Sequence, residues 1–224
     1  MATARPNFDL IARPYRWLEY LSFGPCLERA RFHFLGKLHE CRRAVVLGDG
    51  DGRFAARLLA ANHNIHADAV DSSAAMLQLL RGRVSRLGSP AEGRLRTLHM
   101  DALDFVTKGL SPETPSYDLV ATHFFLDCLS QEEVAVLIRN LAPRLAPGAL
   151  WLISEFAIPA RQPAASASRW IVSGLYRIFG LLTGLRTRRL PDYALHLRQS
   201  GFSLRDRKSH LGGLLLSELW TIAP

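Results

Sequence analysis

The sequence predicts an α/β fold: a three-layer sandwich around a seven-stranded, mostly parallel sheet, with an antiparallel last strand and extra N-terminal helices. Three observations carry this expectation. From residue 43 onward, short β-type runs alternate with helical patterns, the pattern of a sheet with helices on both faces. A glycine-rich turn, Gly48-Asp49-Gly50-Asp51-Gly52, joins the first such run directly to the first helical pattern. With 224 residues of which 48% are hydrophobic, the chain can bury one sizeable core and needs no second domain.

Taken in order, residues 43–47, 65–70, 94–100 and 117–122 read as the first four strands, and 54–61 and 73–87 as the first two helices of the alternating part. Residues 132–145 read as a helix ended by Pro147-Gly148, followed by a buried fifth strand over 149–156. After it, 192–199 reads as a helix, and 202–208 and 214–222 as the last two strands. Two stretches break the rhythm. Phe8, Ile11, Tyr15 and Leu18, then Leu27, Phe34 and Leu38, recur at helical spacing, so residues 1–40 are expected to form two helices covering the sheet edge of the same domain. Residues 41–224 form the rest, with a helical insertion at about 160–190. Its apolar stretch, 170–185, is interrupted by glycines and followed by Arg186, Arg188 and Arg189.

The formal net charge is +8, and Lys37, Lys108 and Lys208 are the only lysines, so the excess is arginine. Such a surface either solvates helices or attracts nucleic acid, anionic lipid or acidic substrates. Cys26, Cys41 and Cys128 show no CxxC spacing and no signal peptide precedes them, which fits a reducing, cytoplasmic setting. No uninterrupted apolar run is long enough to span a bilayer. The 170–189 segment allows either a pocket cover, a peripheral membrane contact or an oligomer face. His63 and His66 join no Cys or Asp cluster, so no metal site is expected.

A glycine-rich turn between a strand and a helix lets a ligand approach the backbone at the positive helix end. Here the pattern is GxGxG; a dinucleotide loop, GxGxxG, would have glycine where Arg53 stands. Asp71 follows the second strand, at the distance of about twenty residues where an acidic side chain accepts from a ribose diol. It also reads as the N-cap of the next helix, Asp71-Ser72-Ser73. Asp101, past the third strand, is either an acceptor for an adenine amino group or a turn aspartate. Three such features at successive strand ends agree with ligand binding at the carboxyl edge of an open sheet.

Over about residues 43–156 these features resemble the class I S-adenosylmethionine (SAM) methyltransferases, whose fold is Rossmann-like. The run Asp71-Ser72-Ser73-Ala74-Ala75-Met76-Leu77 is similar to that family's DxSxxML segment. The resemblance implies SAM as methyl donor and S-adenosylhomocysteine as product. It also implies that Gly48, Gly50 and Gly52 hold the methionine part, Asp71 with Ser72 the ribose, and Asp101 with Ala102 the adenine. Met76 would flank the nucleoside, or else serve as core. Most members carry an acid two residues before the first glycine, where this chain has Val46. Asp49 or Asp51 is expected to supply that charge near the SAM amino group. The loop is also similar to that of the spermidine synthases, but those place an acid after strand four, where this chain has His123-Phe124-Phe125.

His123 at the end of the fourth strand would orient a substrate or take its proton, or would be a structural histidine. Asp127 reads as its orienting partner or as a cap for the helix after Ser130. Phe124 and Phe125 suggest an apolar wall or ordinary core. The general layout is loosely similar to the ubiquinone and menaquinone biosynthesis methyltransferases, which makes Tyr15 a further candidate near the donor and the substrate. The expected activity is methyl transfer to a small, apolar acceptor such as a quinone, phenol or lipid-like molecule. A nucleic-acid methyltransferase is the second reading, disfavoured by the lack of an Asn/Asp-Pro-Pro-aromatic run. A non-catalytic SAM-binding protein is the third.

Overall fold

The computed structural model describes residues 25–110, 116–157 and 191–223. Seven strands form one sheet: β1 (Arg43–Leu47), β2 (His66–Asp71), β3 (Leu95–His99), β4 (Tyr117–His123), β5 (Leu145–Phe156), β6 (Phe202–His210) and β7 (Leu215–Ile222). Their spatial order is β3-β2-β1-β4-β5-β7-β6. Strands β1 to β5 are parallel, and β7 lies antiparallel between β5 and β6. The Rossmann-like sandwich with an antiparallel last strand is therefore the fold of this chain.

Each strand sends alternate side chains to opposite layers. Ala44 and Val46 of β1 and Leu119 and Ala121 of β4 pack against α2 (Arg53–Ala61) and α3 (Ala74–Ser85). Val45, Leu47, Val120, Trp151 and Ile153 face the other layer, α4 (Gln131–Leu141) and α5 (Tyr193–Gln199). Val46, at 0% exposure, is thus plain core beneath α2, and its side chain is spent on packing.

Before β1 stands α1 (Cys26–Phe32), with Leu27 and Ala30 buried against Leu215 of β7. Phe34 and Leu38, further along the expected apolar stripe, enter the core under α2. The positions before residue 25, including Tyr15, and the apolar 170–185 stretch with its arginines lie outside the described residues. No helix among the described residues is long and apolar enough to cross a membrane.

Three boundaries differ from the sequence reading, each for a local reason. The fourth helix ends at Leu141, before a tight turn containing Pro143. Strand β5 begins at Leu145 and carries Pro147-Gly148 inside an irregularity, since pairing steps from Tyr117↔Leu145 to Leu119↔Leu150. Gly148 takes φ +74°, so a strand continues past residues that ordinarily stop one. The N-cap of α3 is Ser73, whose Oγ accepts from Met76 N at 3.2 Å, and Asp71 instead accepts from Ser73 N at 2.8 Å.

Gly52 (φ +78°) packs so tightly on α3 that an added Cβ would lie 2.7 Å from the Cα of Leu80. Gly82, inside α3, has nothing within 4 Å of that point. Gly52→Ala is expected to destabilise the fold by about 1–3 kcal/mol. Gly82→Ala should stabilise it by about 0.5–1 kcal/mol. Urea unfolding of both variants checks the contrast.

Candidate functional site

At the carboxyl ends of β1, β2 and β4 the chain forms a cleft that brings most of the expected site residues together. The turn after β1 supplies Gly48, Asp49, Gly50 and Asp51; the end of β2 supplies Asp71, Ser72 and, one helical turn on, Met76. Ala102, His123, Phe124 and Phe125 complete that set. Asp101, Asp127 and Gly52 are not among the lining residues.

The turn is built on left-handed glycines. Gly48, Gly50 and Gly52 have φ of +64°, +59° and +78°. Only Gly50 keeps its open side for a ligand: an added Cβ there would meet only the Met76 sulfur, at 3.9 Å. A Cβ at Gly48 would lie 2.2 Å from the Phe125 ring, so Gly48 admits Phe125 to the turn, while Gly52 serves the contact with α3.

Both aspartates of the turn are engaged by the protein. Gly52 is the N-cap of α2 and has no side chain to cap with. Asp49 does it instead, accepting from Phe54 N at 3.2 Å and Ala55 N at 2.8 Å. Burial raises its pKa to about 7, partly opposed by the charge of Arg31 and by these two hydrogen bonds. Asp51 is gripped by Arg53 Nε at 3.0 Å and Arg83 Nη2 at 2.5 Å, and Arg83 Nε also donates to the Asp51 carbonyl at 3.0 Å.

Asp101 caps the single turn Ala102–Asp104, accepting from Leu103 N at 2.8 Å. Asp127 is neither His123's partner nor the cap of α4. That cap is Ser130, which forms a capping box with Glu133. Asp127 lies buried in the turn before it, where its charge, after burial itself, raises the pKa of Glu155 well above the usual range. Glu155 Oε1 accepts from Phe125 N at 3.0 Å and Leu126 N at 2.8 Å, holding the turn after β4.

His123 is 3% exposed, on the same face of β4 as Ala121, with its ring 4.3 Å from that of Phe54. Its partner is Ser154 of β5, at 3.0 Å from Nδ1. The Ser154 hydroxyl has one proton and donates it to Ala30 O at 3.1 Å, so it accepts from His123, whose Nδ1 carries the hydrogen. Nε2 is then a bare lone pair, and it has no hydrogen-bond partner among the described residues. Burial, then the charge of Arg31, pushes the pKa of His123 well below 6.5, so the ring is neutral.

Phe124, next along, holds φ +54°, a costly backbone for a residue with a bulky side chain. Its ring meets Phe156 at 5.3 Å and carries the guanidinium of Arg31 5.6 Å above its centre. Arg31, Arg53 and Cys128 line the cleft without a sequence motif pointing to them. For Arg31 a signal was present, since it falls on the stripe Leu27, Arg31, Phe34, Leu38, an arginine at an apolar-face position.

Residues 45–151 match the family model described as a methyltransferase domain. No curated protein sequence matches the chain. Among solved structures, an O-methyltransferase family protein from Burkholderia thailandensis is 16% identical with a TM-score of 0.68, over 98% of this chain and 64% of that one. Mitomycin 7-O-methyltransferase is 19% identical with a TM-score of 0.68, over 97% and 61%. An N-methyltransferase from Bradyrhizobium japonicum WM9, in complex with S-adenosyl-L-homocysteine, is 14% identical with a TM-score of 0.60, over 88% of each chain. At these identities the likeness is one of fold. The chain spans less than two thirds of the length of the two O-methyltransferases.

Asp49 also links the fold to pH. Its native pKa, about 7, exceeds the ordinary 3.8, so between these values the folded chain holds a proton that the unfolded chain has lost. Stability on its account therefore falls as pH rises from about 4 to about 7, and Glu155 acts in the same direction. In Asp49→Asn, whose single amide oxygen keeps one of the two hydrogen bonds to the start of α2, denaturant unfolding across this range should show a shallower fall. An unchanged slope would mean that Asp49 does not titrate there.

Proposed function

We propose that this chain, a class I methyltransferase over residues 45–151, binds SAM at the carboxyl edge of its sheet and methylates a small, apolar acceptor. The observation that supports this most is the convergence of the Gly48–Asp51 turn, Asp71 and His123 on one cleft. The residues present fit the donor. Gly50 leaves its backbone open, Asp71 brings an acceptor to the wall, and Met76 and Ala102 give an apolar lining for a nucleoside.

When bound, SAM supplies a sulfonium methyl group, which passes in line to a nucleophilic O, N or C atom of the acceptor. The turn and the start of α2 would hold the methionine part, and Asp71 with Ser72 the ribose. Phe124 and Phe125 would wall the apolar side. His123, neutral and fixed by Ser154, lines the cleft and would help to orient the acceptor there. Most of the rate enhancement would come from positioning. The mitomycin 7-O-methyltransferase fold likeness favours a small molecule as acceptor. Tyr15 and the 170–189 segment are proposed to cover that acceptor, with a peripheral membrane contact as the alternative use of 170–189.

Transfer of labelled methyl from SAM to a panel of phenols, quinones and lipids, beside RNA and DNA, tests the reading. Label is expected in an organic-extractable small molecule; label confined to nucleic acid would contradict it. Asp71→Ala should weaken SAM binding about tenfold or more, the scale of lost hydrogen bonds to a carboxylate, as read by calorimetry.

A further inference from the structure

We propose that the hydrogen-bonded seam beneath α1 is an acid-sensitive latch: protonation of the His33–His210 pair at its outer end loosens α1 and lowers the ligand affinity of the cleft at its inner end. The inference rests on the donor reading above for the ligand that reports on the cleft.

The seam runs from the cleft to the surface. At its inner end His123 donates from Nδ1 to Ser154 Oγ at 3.0 Å, and Ser154 donates to the Ala30 carbonyl at 3.1 Å. From the other side Ser217 Oγ donates to the same carbonyl at 2.7 Å, so it accepts from His210 Nε2 at 2.9 Å. The hydrogen of neutral His210 is therefore on Nε2, and Nδ1 is where a second proton would go. The Ala30 carbonyl also accepts from His33 N, at 3.4 Å. The His33 ring stands edge-on to that of His210, with centroids 5.4 Å apart. Two histidines thus face each other where α1 meets β6, and both are bonded into the carbonyl that holds α1 down.

The charges around the pair are mostly positive. Lys37, in the short turn after α1, and Lys208, on the same strand as His210, add to it, while Asp206 of that strand opposes them and is paired with Lys37. Burial, then Lys208 for His33 and His33 for His210, lowers the pKa of both rings below 6.5. With α1 released, the rings take up protons near pH 6.5; with α1 docked they resist, so docking weakens as pH falls below about 6.5. His123, at the buried end, stays neutral. Beyond the seam, α1 is held by Leu27 and Ala30 against Leu215, by Arg31 over Phe124 and by a 3.4 Å contact from Arg53 to Glu28. None of these contains a histidine. Lifting α1 would draw Arg31 from the cleft wall and take the acceptor from Ser154, leaving the His123 ring free to turn.

Two measurements at about pH 7.5 and about pH 5.5, on either side of an ordinary histidine pKa, test the latch. One is calorimetry of S-adenosylhomocysteine binding. The other is hydrogen-exchange protection of the α1 amides, corrected for the intrinsic effect of pH. In the wild-type chain both affinity and protection are expected to fall about fivefold or more on acidification. The double variant His33→Gln/His210→Gln keeps a side-chain N-H for Ser217 but takes no charge. Its affinity at the higher pH should stay within about twofold of wild type, and both pH dependences should flatten. His210→Leu, which loses the bond to Ser217 as well, should weaken binding and protection at both pH values. Asp49 is the same in every variant, so its own titration cancels in the comparison. A pH dependence of affinity retained in the double variant, or wild-type α1 protection that does not change with pH, would overturn the inference while leaving the donor reading intact. If the wild type does not bind S-adenosylhomocysteine at either pH, the donor reading fails, and α1 protection in the wild type and the double variant decides the latch by itself.

Discussion

The carboxylate of Asp49 accepts from the backbone N-H groups of Phe54 and Ala55, and the carboxyl edge of the sheet is organised around that contact. Helix α2 begins at a glycine in the left-handed region, so its first N-H groups have no cap of their own. Reaching forward across the turn, Asp49 closes the helix end and fixes the path of the intervening residues. Gly50 is left with its backbone open to the cleft, while Gly48 and Gly52 are closed by Phe125 and Leu80. One aspartate thereby decides which part of the turn serves the fold and which part faces a ligand.

The same economy of contacts appears at β4. His123 belongs to a hydrogen-bonded seam in which Ser154 and Ser217 converge on a single carbonyl, that of Ala30. The seam sets the tautomer of His123 and also fixes α1, so the ring and Arg31 are positioned by one network. Beyond it, Glu155 holds the backbone of Phe125 and Leu126 from the opposite layer. The strained Phe124 stands between these two clamps, which explains how an unfavourable φ is maintained there.

Much of this was legible in the sequence. Apolar runs over 43–47 and 149–156 and the glycine turn marked the sheet and its ligand edge, because buried strands and left-handed turns restrict residue type locally. The helix after Ser130 and the cleft position of Asp71 followed from the same kind of rule. What the sequence concealed depends on distant pairing. Asp51 is claimed by Arg83 of α3, and no local pattern distinguishes it from Asp49, which is claimed by the backbone a few residues on. Pro147-Gly148 lies within β5 because β4 continues to pair on both sides of the irregularity. The role of Asp127 as an orienting partner was displaced by Ser154, a small hydroxyl inside an apolar strand, and only the sheet register brings it beside His123.

Every role proposed for these residues requires the cleft at the strand tips to be the donor site. A crystal structure of the chain grown with S-adenosyl-L-homocysteine tests that most directly. The ligand is predicted to lie along Gly48 to Asp51, with its ribose hydroxyls on Asp71 and its nucleoside beside Met76 and Ala102. A ligand bound elsewhere, or a cleft without density at saturating ligand, would contradict it.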